Sequence, residues 1–149
     1  MPKIALFISL FAAAPALAGE PSDVVRGFYQ PMISEQHQSM RHLFIDMALA
    51  NLEAHDSMIA NGEELGCFDF ALTIDAQDYD DATIDKTLEL IEEADDAKAT
   101  VTAKFFLFTD DKESARAIVW SLVKPAGTWR IADIASPAHG WKLSAFDCN

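Results

Sequence analysis

Basic side chains are scarce in this sequence. It holds 11 lysines and arginines against 24 aspartates and glutamates, which gives a formal net charge of −13 at pH 7. Such a charge repels the phosphates of nucleic acids and of anionic lipids, so we expect neither a nucleic-acid partner nor binding to a membrane surface. A cationic protein surface is a partner that this negative charge would favour. The simpler alternative is that the acidity only keeps the protein soluble.

Long apolar runs are missing as well. No segment approaches the roughly 20 consecutive apolar residues that a membrane-spanning helix needs, so we expect no membrane anchor. The apolar run of residues 4–14 follows Lys3 and precedes the small residues of PALAG at 15–19. A basic start, a short apolar stretch and small residues at a cleavage site are typical of a secretory signal peptide. The sequence therefore predicts a signal over residues 1–18, a single α+β domain over 19–149, and a location in the periplasm or outside the cell.

Cysteine is limited to two residues, Cys67 and Cys148. Export takes thiols into an oxidising compartment, where cysteines that can reach one another form disulfides. We therefore predict a bridge between them, which would fasten the C-terminal tail to the segment that follows the helical region. Two separate thiols remain the alternative.

Motifs for metal binding and nucleophilic catalysis are absent too. The sequence has four histidines, His37, His42, His55 and His139. Their spacing differs from the i,i+3 or i,i+4 spacing of a helical zinc pair, and no Gly-x-Ser-x-Gly elbow occurs. Residues 75–85 are dense in aspartate but contain no glycine and do not follow the EF-hand order of calcium ligands. We expect no metal and no cofactor, and we predict that Asp78 or Asp80 caps the helix that follows.

The first half of the chain has helical periodicity. Ser22 begins a short helix that Pro31 ends, and residues 34–60 repeat apolar side chains at helical spacing up to an Asn-Gly stop signal. This pattern predicts one long helix, straight or kinked. Residues 81–96 predict a further short helical segment before the sheet begins. Its apolar face is formed by Ile84, Leu88 and Ile91.

The second half is rich in β-branched and aromatic residues. Three segments, 98–108, 113–124 and 128–136, are separated by turn-forming residues and predict three antiparallel strands. Trp120 and Trp129 flank the last turn, where we expect them as near cross-strand neighbours. Helices followed by a meander of strands predict an α+β fold with the helices on one face of the sheet.

Three stretches carry a recognisable pattern: VVRGFYQPM at 24–32, FALTIDAQDYD at 70–80 and GTWRIADI at 127–134. Together they resemble the exported bacterial family known as domain of unknown function 3828, which is similar to the cystatin-like and nuclear-transport-factor-2-like cone folds. The resemblance implies a cone-like curved antiparallel sheet packed on the N-terminal helices. Within its middle stretch we take Gln77, Asp78 and Tyr79 as a structural motif, which we predict to lie at the junction of helix and sheet.

A cone fold of this kind can leave a pocket between the long helix and the sheet. The residues that we predict to line it are Phe28, Tyr29, Trp120, Trp129 and Asp133. Regular alternation along the last strand places Asp133 on the Trp129 face, as the carboxylate of the pocket. Each has a plainer alternative: the aromatic residues as ordinary core, and Asp133 as a structural partner of an arginine or a backbone amide.

Two classes of function follow as hypotheses. The favoured one is a non-catalytic binding or interaction protein, with inhibitor or immunity proteins as a special case, that engages a small ligand or a cationic protein surface. The other is a small cone-fold enzyme that acts on a hydrophobic molecule through a pocket carboxylate. A homodimer is compatible with either. The two classes differ in whether the cavity holds an ionisable group among apolar walls.

Overall fold

Five antiparallel strands form a sheet in this computed structural model, which describes residues 20–148. The strands are β1 (Glu89–Ala94), β2 (Lys98–Phe106), β3 (Ala115–Val123), β4 (Arg130–Ser136) and β5 (Trp141–Lys142). Their order across the sheet follows the chain, so β1 and β5 are its two edges and the sheet is not closed into a barrel. The signal predicted for residues 1–18 lies outside the described residues.

Helices cover one face of this sheet. They are α1 (Glu20–Arg26), α2 (Asp46–Ala60) and α3 (Asp81–Thr87), with a 3-10 helix at Gln38–Leu43. Along β2 and β3, buried side chains alternate with less buried ones, so we call the helix-covered side the core face and the opposite side the outer face. The predicted α+β fold is confirmed. Within residues 20–148, no helix is both long and apolar enough to cross a membrane.

The helix predicted over residues 34–60 is interrupted. After the 3-10 helix the backbone is extended at Phe44 and Ile45, and α2 begins only at Asp46. Phe44 makes a parallel bridge with Ile131 of β4, and the Ile45 amide donates to the Ile131 carbonyl oxygen at 3.0 Å. Because the Ile45 amide bonds to the sheet, it cannot bond to the preceding turn and continue that helix.

The helical segment predicted over residues 81–96 ends at Thr87, and residues 89–94 form β1 instead. Ile84 is fully buried in the core, whereas Ile91 lies opposite Thr102 on the outer face and is 38% exposed. A short apolar run cannot distinguish a strand from a helix by periodicity alone. Here the pairing with β2 decides in favour of the strand.

A bulge interrupts β4 at Ala132. Ser121 of β3 pairs with Asp133 while the next residue of β3 pairs with Ile131, so Ala132 has no partner. The bulge reverses the alternation of side chains along the strand. Ile131 and Ile134 are therefore both fully buried, and Asp133 lies on the outer face with Ser121.

This bulge corrects two expectations about the last hairpin. The prediction that Asp133 shares a face with Trp129 is wrong, because the extra residue lies between them. The expected cross-strand contact of the two tryptophans is wrong as well, since Trp120 pairs with Ile134. The three strands predicted for this part of the chain are nevertheless present as β2, β3 and β4.

The C-terminal segment is covalently attached to the loop that follows α2. Cys67 and Cys148 form a disulfide, as predicted, with Cα atoms 5.1 Å apart at a sequence separation of 81. The side-chain amide of Asn51 on α2 donates to the carbonyl oxygens of Leu143 at 2.8 Å and Phe146 at 3.1 Å. A disulfide and a buried amide thus hold the end of the chain.

Candidate functional site

The aromatic residues predicted to line a pocket belong to the core. Phe28 and Trp120 are fully buried with ring centroids 4.8 Å apart, and Tyr29 is 2% exposed. The Tyr29 hydroxyl donates to the Thr73 carbonyl oxygen at 2.6 Å and accepts from the Trp120 indole N–H at 3.3 Å. Burial raises the pKa of Tyr29 far above that of a solvated tyrosine. Their polar atoms are satisfied inside the protein, which is the packing expected of core residues.

Trp129 and Asp133 lie apart from each other. Trp129 is 6% exposed, and the ammonium group of Lys124 stands 5.1 Å above its ring. The Asp133 carboxylate accepts from the backbone N–H of the next residue and from that of Ser144, each at 3.0 Å. Its second oxygen lies 3.2 Å from Nζ of Lys142. Asp133 therefore holds the C-terminal segment against β4, which matches the structural alternative.

The motif of Gln77, Asp78 and Tyr79 lies on the surface. All three residues are exposed, Tyr79 by 39%. Gln77 retains one hydrogen bond, from its side-chain amide to the Asp69 carbonyl oxygen at 3.0 Å. The predicted role at a buried junction is wrong, because this loop runs over the surface before α3 begins.

A groove opens between α3 and the turn that joins β2 to β3. Its volume is about 560 Å³, and ligand pockets in proteins typically have volumes of about 300–1,000 Å³. Phe106 and Phe108 contribute its aromatic surface, and each is 39% exposed. The other walls include Ala82, Lys86 and Thr87 of α3, and Thr109, Asp110 and Lys112 of the turn. We call this the α3–β2 groove.

Hydrogen bonds fix the walls of the α3–β2 groove. The Asp80 carboxylate caps α3, as predicted, by accepting from the Thr83 hydroxyl at 2.5 Å and the Thr83 amide at 2.8 Å. These two bonds lower the pKa of Asp80. The Thr83 hydroxyl also lies 2.7 Å from that of Thr109, and the Phe106 amide donates to the Thr87 hydroxyl at 3.0 Å. Two side chains of α3 are therefore hydrogen-bonded to residues of the facing wall, Thr109 and Phe106.

Charged groups surround the aromatic surface. Lys86 and Lys112 line the groove together with Asp110 and Asp111. Asp111 is engaged in the turn, where its carboxylate accepts from the Glu113 amide at 2.9 Å. Across residues 20–148, neither lysine forms an ion pair. The groove thus offers an apolar surface with two ammonium groups and the carboxylates of Asp80, Asp110 and Asp111 beside it.

A second polar cluster surrounds Asp75, whose side chain is 6% exposed. Its carboxylate accepts from the Trp141 indole N–H at 2.7 Å and contacts Nδ1 of the half-exposed His139. Its backbone carbonyl accepts from Nε of Arg116 at 3.2 Å. Sequence reasoning missed this cluster, because His139 and Trp141 follow Asp75 by 64 and 66 residues and no local pattern joins them.

His55 occupies a cleft beside the disulfide. It is 4% exposed, its ring stacks on Phe68 at 3.9 Å between centroids, and its Nδ1 accepts from the Cys67 amide at 3.2 Å. Burial lowers the pKa of His55, while the negative charges of Asp56 and Glu35 oppose that shift. A neutral imidazole that accepts a backbone N–H serves the packing of this loop.

Across residues 20–148, no group of three or more His, Cys, Asp or Glu side chains is arranged to hold a metal ion. Comparisons of the chain with family models, curated proteins and solved structures found no match. The resemblance to domain of unknown function 3828 therefore stays a prediction. Function has to be argued from the residues of the site itself.

Proposed function

We propose that the protein is an exported, non-catalytic binding module that holds a small apolar ligand in the α3–β2 groove. The observation that carries this proposal is the pair of exposed phenylalanines, Phe106 and Phe108, on the wall of a groove of about 560 Å³. Binding removes such side chains from water, at roughly 25 cal/mol for each Å² of apolar surface buried. A concave apolar surface with a few polar groups is the usual form of a ligand site.

The charges beside the groove narrow the chemistry of the ligand. Aromatic side chains favour flat or aromatic groups, which stack on them or meet their edges. Lys86 and Lys112 have no ion-pair partner in the described part of the chain, so an anionic group on the ligand complements them where it lies beside a lysine and away from the carboxylates of Asp80, Asp110 and Asp111. The ligand class that fits best is a small aromatic or aliphatic molecule with a carboxylate, sulfonate or similar anion.

Two carboxylates support a non-catalytic role over the enzyme hypothesis. Asp133, the predicted pocket carboxylate, is engaged by two backbone amides and Lys142. Asp80 lines the groove, but its hydrogen bonds to Thr83 lower its pKa. A general acid or base works best when its pKa is near the operating pH, and a lowered pKa moves a carboxyl group away from that range.

Export to the periplasm or the medium is part of the same proposal. The disulfide between Cys67 and Cys148 supports it, because such bonds persist in oxidising compartments. The predicted signal over residues 1–18 supports it independently.

Anilinonaphthalene sulfonate, an anionic aromatic dye, is a suitable probe for the groove. We expect saturable, single-site fluorescence enhancement with the folded protein. Phe108→Ser should weaken binding roughly tenfold, because the variant loses apolar contact with the dye. Met47→Ser removes an apolar side chain that is 51% exposed on α2, and it should leave binding unchanged.

Two results would count against the proposal. One is equal weakening by Phe108→Ser and Met47→Ser, which would indicate adsorption to scattered apolar surface. The other is a fluorescence enhancement of the dye that does not saturate with the protein or its variants, while circular dichroism shows that both variants are folded.

A further inference from the structure

β1 is an open edge of the sheet. It pairs with β2 along all six of its residues, and no strand within residues 20–148 pairs with its other side. An edge strand presents unpaired backbone N–H and C=O groups, which can pair with a strand from another chain. The regular register with β2 makes this edge suitable for such an addition. The other edge strand, β5, has only two residues.

The side chains of β1 give this edge a specific charge pattern. Glu89 and Glu93 are exposed on the outer face and flank Ile91, which is 38% exposed. Glu92 points to the other face, where its carboxylate accepts from the amide of Ser22 at 2.9 Å and from the Ser22 hydroxyl at 2.6 Å. The outer side of β1 therefore presents two carboxylates with one apolar residue between them, and Lys104 of β2 lies directly opposite Glu89 on the same face.

This pattern disfavours pairing of β1 with a second copy of itself. An antiparallel pair of β1 strands centred on Ile91 would set Glu89 of one copy directly opposite Glu93 of the other, twice. Like charges in directly opposed positions destabilise a strand pair. Opposite charges at the same positions stabilise it. In the register that aligns the two Ile91 residues, the edge is therefore complementary to a basic strand rather than to another copy of this chain.

We propose that β1 accepts an extended basic segment of a partner protein as an added strand. The partner segment has the pattern basic-x-apolar-x-basic, which sets its two cations opposite Glu89 and Glu93 and its apolar residue opposite Ile91. Backbone hydrogen bonds supply the affinity in this mode, and the alternate side chains supply the specificity. The net charge of −13 steers a cationic partner toward the protein. This surface goes beyond the α3–β2 groove, and failure of either proposal leaves the other standing.

A synthetic peptide, TKTVTKT, tests the added strand by titration of the isotope-labelled protein at low salt, with backbone amide NMR shifts as the readout. We expect the largest shifts at residues 89–94. The same peptide with both lysines replaced by glutamate should not bind. A version with methylated backbone nitrogens on the pairing edge should not bind either, because it cannot donate the strand hydrogen bonds.

Paired variants separate a specific site from general charge attraction. Glu89→Gln with Glu93→Gln should weaken binding of TKTVTKT by about three- to tenfold, as expected for two exposed ion pairs. Glu53→Gln with Glu63→Gln makes the same change in net charge at two other exposed glutamates and should have little effect. Equal weakening by both pairs, shifts centred outside residues 89–94, or no binding of TKTVTKT at low salt would each overturn the proposal.

Discussion

Removal of the Asp75 carboxylate should destabilise the fold more than any other single change at an aspartate between residues 75 and 85. The Asp75 carboxylate connects its loop to the C-terminal part of the sheet, because it contacts Trp141 of β5 and His139 just before that strand. The bond from Arg116 goes to the backbone carbonyl of Asp75 and remains when the side chain is changed. Its backbone φ is 53°, in the left-handed region that aspartate and asparagine tolerate better than most residues. Asp75→Asn therefore fits this backbone conformation, and Asp75→Ala adopts it only at an added cost in strain.

The magnitude follows from the burial of each partner. A buried hydrogen bond to a charged group contributes about 1.5–3 kcal/mol, which applies to the bond from Trp141. The contact with His139 counts for less, since that side chain is 51% exposed and regains water when the contact is lost. Removing the carboxylate also relieves the cost of burying its charge. We expect a loss of about 2–4 kcal/mol in the free energy of unfolding for Asp75→Ala, and about 1–2 kcal/mol for Asp75→Asn.

Urea denaturation followed by far-ultraviolet circular dichroism measures both losses without relying on tryptophan fluorescence. Asp78→Asn, which changes an exposed aspartate three residues along, is the matched control and should have no effect beyond about 0.5 kcal/mol. Unfolding of Asp75→Asn and Asp78→Asn at the same urea concentration would contradict this role of the Asp75 carboxylate. A variant Asp75→Ala that is no less stable than Asp75→Asn would contradict it as well.

Three further predictions concern the segment around the disulfide. Burial lowers the pKa of His55 from its ordinary value of 6.5, so the unfolded chain binds the proton first as the pH falls and stability should decrease below that value. The variant His55→Gln should show a smaller dependence of the urea midpoint on pH across this range, and an equal dependence in variant and wild type would contradict the prediction. Joint replacement of Cys67 and Cys148 by serine should lower the free energy of unfolding by about 4.5 kcal/mol, because the bridge restricts the chain entropy of an unfolded loop with a sequence separation of 81. A loss below about 1 kcal/mol would be inconsistent with this estimate. Gly66→Ala should destabilise the fold by roughly 1–3 kcal/mol, because φ is +58° and the added Cβ would lie 2.4 Å from Nδ1 of His55. Thermal melts of the variant test this, and a midpoint equal to that of the wild type would show that the His55 ring can move aside.

Local patterns were sufficient for the parts of the fold that depend on neighbouring residues. The strands β2, β3 and β4 follow from β-branched and aromatic segments between turns, and the cap at Asp80 from an aspartate before a helical period. The pairing of Cys67 with Cys148 needed only their number and an oxidising compartment. These features require no knowledge of which distant segments meet.

The remaining features depend on tertiary pairing. The helix stops at Phe44 because the next amide, that of Ile45, bonds to Ile131 in β4, 87 positions beyond Phe44 in the chain. The bulge at Ala132, which moves Asp133 to the outer face, depends on the register with β3. A period-two pattern predicts faces only for a regular strand, so the face assigned to Asp133 could not be correct.

The candidate site was missed for a related reason. Phe106 ends β2 and Phe108 lies two residues beyond it, in an apolar run with the buried residues Phe105 and Leu107. Alternation with the polar residues earlier in β2 predicts the outer face for Phe106, but it does not predict a groove. The exposure of the two phenylalanines results from the end of β2, where the chain passes α3 and turns into β3. The groove is thus a product of how α3 meets the sheet.

An NMR titration with anilinonaphthalene sulfonate tests most directly whether the α3–β2 groove is the ligand site. If it is, backbone amide shifts should saturate at one equivalent and concentrate on residues 82–87 and 106–112, with Phe106 and Phe108 among the largest. Shifts that spread over the whole surface without saturating would contradict the proposed function. Shifts centred instead on the cleft around His55 and Leu65, which is lined by a separate set of residues, would contradict it as well.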